Sequence, residues 1–374
     1  MAEAINSGLH QKYNRGNENV IPREEGEGFA LGKLWEEVRD LSLGAGSQVE
    51  RVHGPLSPLH FLRDYVMPNK PCIITDSLHH WPALSKWSNH YLSSLLQHQT
   101  VSLHFTPDGR ADSLEKNPDQ HNNNEWPSCF VSAYVERMPF PEALQYIAGS
   151  KLGERGVAYA QEQNGCFFSE YSLLAGDVEE DIPWATEALG TKPDAVNLWI
   201  GNERATTSFH KDHYENLYAV VSGQKHFLLM PPTDVHRMYV RDHPAAHYTI
   251  SQATGEFSIE LDNPPQYVPW ASIDPYPPSS EVEQSRILFP RYFNGPKPFE
   301  CTVQAGEILY LPSLWFHHVR QTPDAEGRTI AINYCVLTMY DVKWENVRIK
   351  VPSTLLILLH GSNILRKCPK AFTV

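Results

Sequence analysis

His210 and Asp212 stand two residues apart in the stretch Thr206–Pro232, TTSFHKDHYENLYAVVSGQKHFLLMPP. In an extended strand, positions i and i+2 share a face, so an imidazole and a carboxylate at this spacing can converge on one point. By itself the pair means little, because a chain with 18 His and 44 Asp plus Glu supplies such pairs by chance. His213 points away from His210 in an extended strand and does not compete for the same place. Far downstream, Val303–Val319 reads VQAGEILYLPSLWFHHV and ends on His317 and His318. Two His and one carboxylate drawn from separate strands make the facial triad that leaves open positions on Fe(II). On residue types alone, His317 and His318 remain equal candidates for the second imidazole. The separation along the chain is too long for a local zinc knuckle and natural for strands that meet across a barrel.

The elements that must position these residues are mostly strands. Leu217–Val221 and Lys225–Leu229 are β-rich runs joined by Ser222-Gly223-Gln224, which predicts a hairpin. Lys225 opens the second run, a cation where the apolar pattern does not call for one. Downstream, a strand, a Gly306-Glu307 turn and an apolar strand ending at Pro312 lead to the second His pair. Upstream, Asp194–Gly201 alternates as a strand, Gly156–Gln161 reads as a strand carrying Tyr159, and Cys72–Thr75 and Thr100–Thr106 read as two more. Helical spacing runs over Phe29–Leu43, and further helices are predicted from Pro55–Pro58, from Trp81, over Pro139–Ile147 and over Ile182–Leu189. Residues 1–28 lack periodicity and read as disordered. Residues 110–127 read as a polar surface loop, and 233–300 as a long insertion, either governing substrate access or decorating the surface.

At this point the residues carry a family resemblance. The pattern T-x-x-H-x-D, followed by Lys225 and by G-E-x-L-Y-L-P-x-x-W-x-H-x-V, resembles the JmjC-domain 2-oxoglutarate oxygenases of the cupin type. The likeness extends through HWPALSKW, TPDGRAD, PWATEALG and DAVNLWIG and runs from about Leu34 to Asp341. It implies a mainly β fold, a double-stranded β-helix of jelly-roll type with N-terminal helices and a short C-terminal helical tail. The expected organisation is a disordered segment 1–28, a helical and strand region 29–155 packing on the barrel, a catalytic core 156–341 containing the insertion, and an atypical tail 342–374.

The resemblance also implies the site. Fe(II) falls to His210, Asp212 and His317, the last chosen over His318 because in the family the His after the aromatic pair takes the ligand place. The far carboxylate of 2-oxoglutarate falls to Lys225 with the hydroxyls of Thr207 and Tyr159. Asn216 and Asn333 resemble the polar residues that orient the cofactor around the metal. With O2 as co-substrate, the implied reaction oxidises a C–H bond and releases succinate and CO2. Hydroxylation of a lysyl side chain in a protein or peptide substrate is the expected outcome. N-methyl-lysine demethylation, as in histone demethylases, is the first alternative, and a non-catalytic cupin binding module the second. A silent module would predict loss of a ligand or of the Lys, and all are present. The C-terminal helices of this family often support a homodimer. One departure stands out: after Asn333-Tyr334 the family continues with aromatic residues, whereas this chain has Cys335-Val336-Leu337-Thr338. Cys335 in place of an aromatic is expected to weaken 2-oxoglutarate binding.

Composition narrows the classes. A net charge of −13 argues against a sequence-independent grip on nucleic acid, which needs basic surface. It is compatible with a basic peptide substrate. Six Cys without a CxxC, and no secretory signal, predict reduced thiols in a cytoplasmic or nuclear protein. No apolar run approaches the ~18 residues of a membrane span. Neither an H-E-x-x-H nor a serine or cysteine nucleophile motif supports a peptidase.

Overall fold

The computed structural model describes residues 33–34, 37–40, 48–119, 127–251 and 253–337. Most of the helix expected over Phe29–Leu43, the segment 1–28 and the C-terminal tail lie outside the described residues. In chain order the strands are β1 (Glu50–His53), β2 (Cys72–Thr75), β3 (Thr100–Thr106), β4 (Arg110–Ala111), β5 (Ser113–Lys116), β6 (Ser128–Ser132), β7 (Tyr134–Pro139), β8 (Val157–Ala160) and β9 (Ala195–Gly201). They continue as β10 (Thr206–Lys211), β11 (Glu215–Ser222), β12 (Gln224–Met230), β13 (Arg241–Ile250), β14 (Phe257–Leu261) and β15 (Tyr267–Trp270). The last four are β16 (Phe299–Gln304), β17 (Ile308–Leu311), β18 (Phe316–Thr322) and β19 (Thr329–Val336). Helices between the early strands include Pro58–Phe61, Ala83–Lys86, Asn89–Leu95, Phe140–Ala148 and Pro183–Leu189.

Two sheets face each other, as in the expected jelly roll. The larger runs β1-β2-β17-β11-β19-β9-β8-β3-β7, and the smaller runs β16-β12-β18-β10-β4. Strand alternation builds three apolar layers. Leu217, Ala219 and Val221 of β11, with Ile330, Ile332 and Tyr334 of β19, face the N-terminal helices. The opposite face of the same strands, Tyr218, Val220 and Ala331, meets Phe227, Leu229 and Val319 from the smaller sheet. The outer face of the smaller sheet, Phe209, Leu228, Met230 and Phe316, is covered by Met238, Ala271, Ile273 and Tyr292. Strands buried on both faces lose polar–apolar alternation, which is why these runs read as nearly continuous hydrophobic sequence.

The structure corrects three expectations. β11 and β12 do not form a hairpin: β11 pairs with β17 and β19, and β12 with β16 and β18. Ser222-Gly223-Gln224 is the corner where the chain crosses from the larger to the smaller sheet. Gly223 has φ +70°, and a Cβ there would lie 2.7 Å from the Thr322 carbonyl oxygen, so the corner requires glycine. Local sequence signals two strands and a turn but not which partner each strand takes. Second, the insertion is folded rather than a loop: β13 pairs with β14, β15 and β6, and its helices Val282–Leu288 and Pro290–Phe293 follow. Third, the polar stretch 110–127 contains β4 and β5 rather than a continuous surface loop. The five described cysteines are free thiols. Among the described residues, no helix is long and apolar enough to cross a membrane.

Candidate metal centre

β10 and β18 run antiparallel, with Thr207 opposite Val319 and His210 opposite His317. Between these pairs β10 advances three residues and β18 two. The extra residue is a bulge, which puts Thr207 and His210 on one face despite their odd spacing. Val319 belongs to the layer between the sheets, so this face is the barrel interior. Asp212 follows the end of β10 instead of continuing the strand. Its carbonyl accepts a 2.7 Å hydrogen bond from the backbone N–H of Leu314, in the turn before β18.

The ligand atoms of His210, Asp212 and His317 all lie within 4.8 Å of one another, and these three form the sole such group among the described residues. Asp212 reaches both imidazoles, Oδ1 at 4.0 Å from His210 Nε2 and Oδ2 at 3.8 Å from His317 Nε2. Each imidazole is oriented the same way. His210 Nδ1 lies 2.9 Å from the Ser208 carbonyl and His317 Nδ1 3.1 Å from the Trp315 carbonyl. A carbonyl only accepts, so Nδ1 donates in both rings and Nε2 is the nitrogen turned toward Asp212. Burial, then the neighbouring His210, pushes the pKa of His317 down to about 4, which keeps it in the neutral form that ligates metal.

His318 points the other way. Its ring packs 5.6 Å from Phe209 and 5.5 Å from Tyr276 in the layer outside the smaller sheet. Strand alternation thus separates the two neighbouring imidazoles that residue types left equal. His213 lies in the bend after Asp212, outside the cluster.

Lys225 sits on β12 opposite Gln321 of β18, four residues from His317 along the same strand. At strand rise that is about 13 Å between the two backbone positions. Its side chain is 1% exposed. Nζ donates to the Tyr159 hydroxyl at 3.0 Å and to Gln321 Oε1. Thr207 and Tyr218 adjoin the same phenol. Tyr159, Thr207 and Lys225 are therefore brought together from β8, β10 and β12. No carboxylate lies within ion-pair distance of Lys225 among the described residues, and desolvation pushes its pKa down to about 7. A buried ammonium without a counter-ion is costly, and an anionic ligand would supply the missing charge.

The two amides differ. Asn333 is occupied: Oδ1 accepts from Trp199 Nε1 at 2.8 Å and Nδ2 donates to Cys335 Sγ at 3.2 Å. Asn216 is buried, with no hydrogen-bond partner for its Oδ1 among the described residues. Cys335, which pairs with Asn216 across β11 and β19, shares the interior face with Asn333 two residues before it. Burial and the charge of Asp212 hold its thiol well above the usual range.

Three contributors escaped the sequence reading. Gln321 shares the face of His317 because β18 has period two, a signal that was available once His317 was chosen. Tyr218 is hidden in an apolar run. Trp270, from the insertion, stacks on the His210 ring at 5.8 Å with 5° between planes and donates to Ser208 Oγ at 3.0 Å. The insertion therefore buttresses the bulge that carries His210, a contact no local pattern announces.

Residues 58–335 match the family described as Cupin-like domain. The chain is 53% identical over 312 residues to "Lysine-specific demethylase JMJ32" of Arabidopsis thaliana, covering 83% of this chain and 87% of that protein. It is 41% identical over 291 residues to "Bifunctional peptidase and (3S)-lysyl hydroxylase JMJD7" of Homo sapiens, covering 78% and 84% respectively. A third relative, "JmjC domain-containing protein E" of Dictyostelium discoideum, is 34% identical over 324 residues, covering 83% and 90%.

Proposed function

We propose that this chain, which belongs to the cupin-like domain family in its JmjC branch, is an Fe(II)- and 2-oxoglutarate-dependent protein hydroxylase acting on lysyl side chains. One observation carries the reading: the buried ammonium of Lys225, without a counter-ion among the described residues, lies on the same interior as three converging metal-ligand side chains. The donor set fits the group. Two imidazoles and one carboxylate would suit Fe(II) and would leave positions for a chelating 2-oxoacid and O2. Lys225, Thr207 and Tyr159 offer a cation and two hydroxyls to the distal carboxylate. When bound together, iron and 2-oxoglutarate supply oxidation of an unactivated C–H bond, with succinate and CO2 as products.

The part of the protein is positional. Asp212 would hold the metal while its backbone carbonyl ties it to the β17–β18 turn. The Ser208 and Trp315 carbonyls keep both imidazoles in the ligating tautomer. Asn216 presents a free amide oxygen to the interior. The 53% identical relative, named a lysine-specific demethylase, favours a second reading in which the same site oxidises an N-methyl group. The outcome depends on which carbon the pocket holds nearest the oxidant.

The test is mass spectrometry of two peptide pools, unmodified-lysine and methyl-lysine, incubated with the protein, Fe(II), ascorbate and 2-oxoglutarate, with His210→Ala as control. Gain of one oxygen on unmodified lysine is the expected result. Loss of methyl with formaldehyde release selects the demethylase. Absence of 2-oxoglutarate turnover with every peptide refutes the oxygenase reading.

A further inference from the structure

Lys225 is tied to a side chain that the co-substrate reading does not use. Gln321 is 5% exposed and lies directly across from Lys225 in the β12–β18 pairing. Its amide has one orientation available: Nε2 donates to the Asn202 carbonyl at 2.6 Å, so Oε1 faces the ammonium. Asn202 is itself anchored, its Nδ2 donating to the Ile147 carbonyl at 2.8 Å in the helix Phe140–Ala148. The brace continues to Gly201, where a Cβ would lie 2.5 Å from Gln321 Nε2 and 2.6 Å from the Tyr159 ring. Glycine there is what lets both side chains close on Lys225.

We propose that Gln321 is a positioning residue that aims Lys225 at the distal carboxylate of 2-oxoglutarate while leaving its charge uncompensated, an inference that rests on the function proposed above. An ammonium has three N–H bonds. Gln321 and Tyr159 take two, and the third remains for the ligand. Both partners are neutral acceptors, so they fix the geometry without neutralising the cation. A glutamate at 321 would do both and compete with the dicarboxylate. The low pKa of Lys225 makes these acceptors more valuable, since they favour the charged form before the ligand arrives.

The experiment is calorimetric titration of 2-oxoglutarate into Mn(II)-loaded protein, comparing wild type, Lys225→Met, Gln321→Glu and Gln321→Met, with thermal melts of each. Wild type binds and Lys225→Met does not. Gln321→Glu weakens binding by tenfold or more, and Gln321→Met by about tenfold, the effect of one hydrogen bond to a charged group. In turnover the KM for 2-oxoglutarate rises by the same factors, while kcat at saturation stays within about twofold. Wild-type affinity in both Gln321 variants, with Lys225→Met dead, overturns this inference and leaves the co-substrate reading intact. A fall in kcat and melting temperature with unchanged KM also overturns it, because that is the mark of a merely structural residue. If wild type itself does not bind, both fall together.

Discussion

Replacing Lys225 with methionine removes the buried charge while keeping a flexible chain of similar volume. Its consequences for stability and binding run in opposite directions. The side chain is 1% exposed and desolvation alone lowers its pKa from 10.5 to about 7. In the folded protein the group therefore binds its proton less tightly than in the unfolded chain. Between pH 7 and 10.5 the unfolded state holds more protons, so stability rises with pH across this window. Below pH 7 the penalty is fully present. Each pKa unit corresponds to about 1.4 kcal/mol, so at pH 7 the ligand-free protein is destabilised by about 4 kcal/mol. Lys225→Met should recover most of that. With about 2 °C per kcal/mol for a large domain, the ligand-free variant melts several degrees above wild type at pH 7. The difference shrinks toward pH 10. Addition of 2-oxoglutarate to Mn(II)-loaded protein at about a hundred times its dissociation constant stabilises wild type by about 2.7 kcal/mol and leaves the variant unmoved. Melting curves over pH 6.5–10, with and without ligand, give all four quantities. A variant no more stable than wild type at pH 7, or one that gains the same shift from 2-oxoglutarate, refutes the reasoning.

Three further outcomes follow from named contacts. His317→Ala abolishes stoichiometric metal binding, whereas His318→Phe retains it, because His318 faces Phe209 and Tyr276 rather than the interior; metal analysis of the purified variants distinguishes them. Trp270→Ala removes the ring stacked on His210 and is expected to cost about 3–5 kcal/mol in denaturant unfolding. It should also weaken metal affinity about tenfold to a hundredfold by loosening the bulge that carries His210, as read by competition with a chelator. Gly223→Ala forces a Cβ to within 2.7 Å of the Thr322 carbonyl at a positive φ, so it destabilises by about 1–3 kcal/mol without changing metal stoichiometry.

Much of this protein was legible in its residues. The strand runs and turns were legible because alternation and turn chemistry are local properties, whereas the jelly roll and the full ligand set were implied by the family resemblance that T-x-x-H-x-D and the aromatic-rich G-E turn segment carry. His210 and Asp212 could be paired by their spacing, although Asp212 proves to sit past the strand end. The choice of His317 over His318 came from family likeness; in the structure His317 lies with His210 and Asp212, and His318 packs on Phe209 and Tyr276. The insertion misled because Pro- and Tyr-rich sequence looks like loop, although it holds the ten-residue β13, which pairs with β14 and β15 nearby and with β6 far back in the chain.

What the sequence determined by itself is therefore the inventory: which side chains can ligate, which one cation interrupts an apolar strand, and where the chain must turn. Only the tertiary structure decided how that inventory is assembled. It separated β11 from β12 into different sheets, set the one-residue bulge that aligns Thr207 with His210, and closed Gln321 and Tyr159 around Lys225. The reason is physical. Residue type and period act over a few neighbours, whereas strand partners and the loss of water around a buried charge depend on surfaces contributed by segments far apart in the chain.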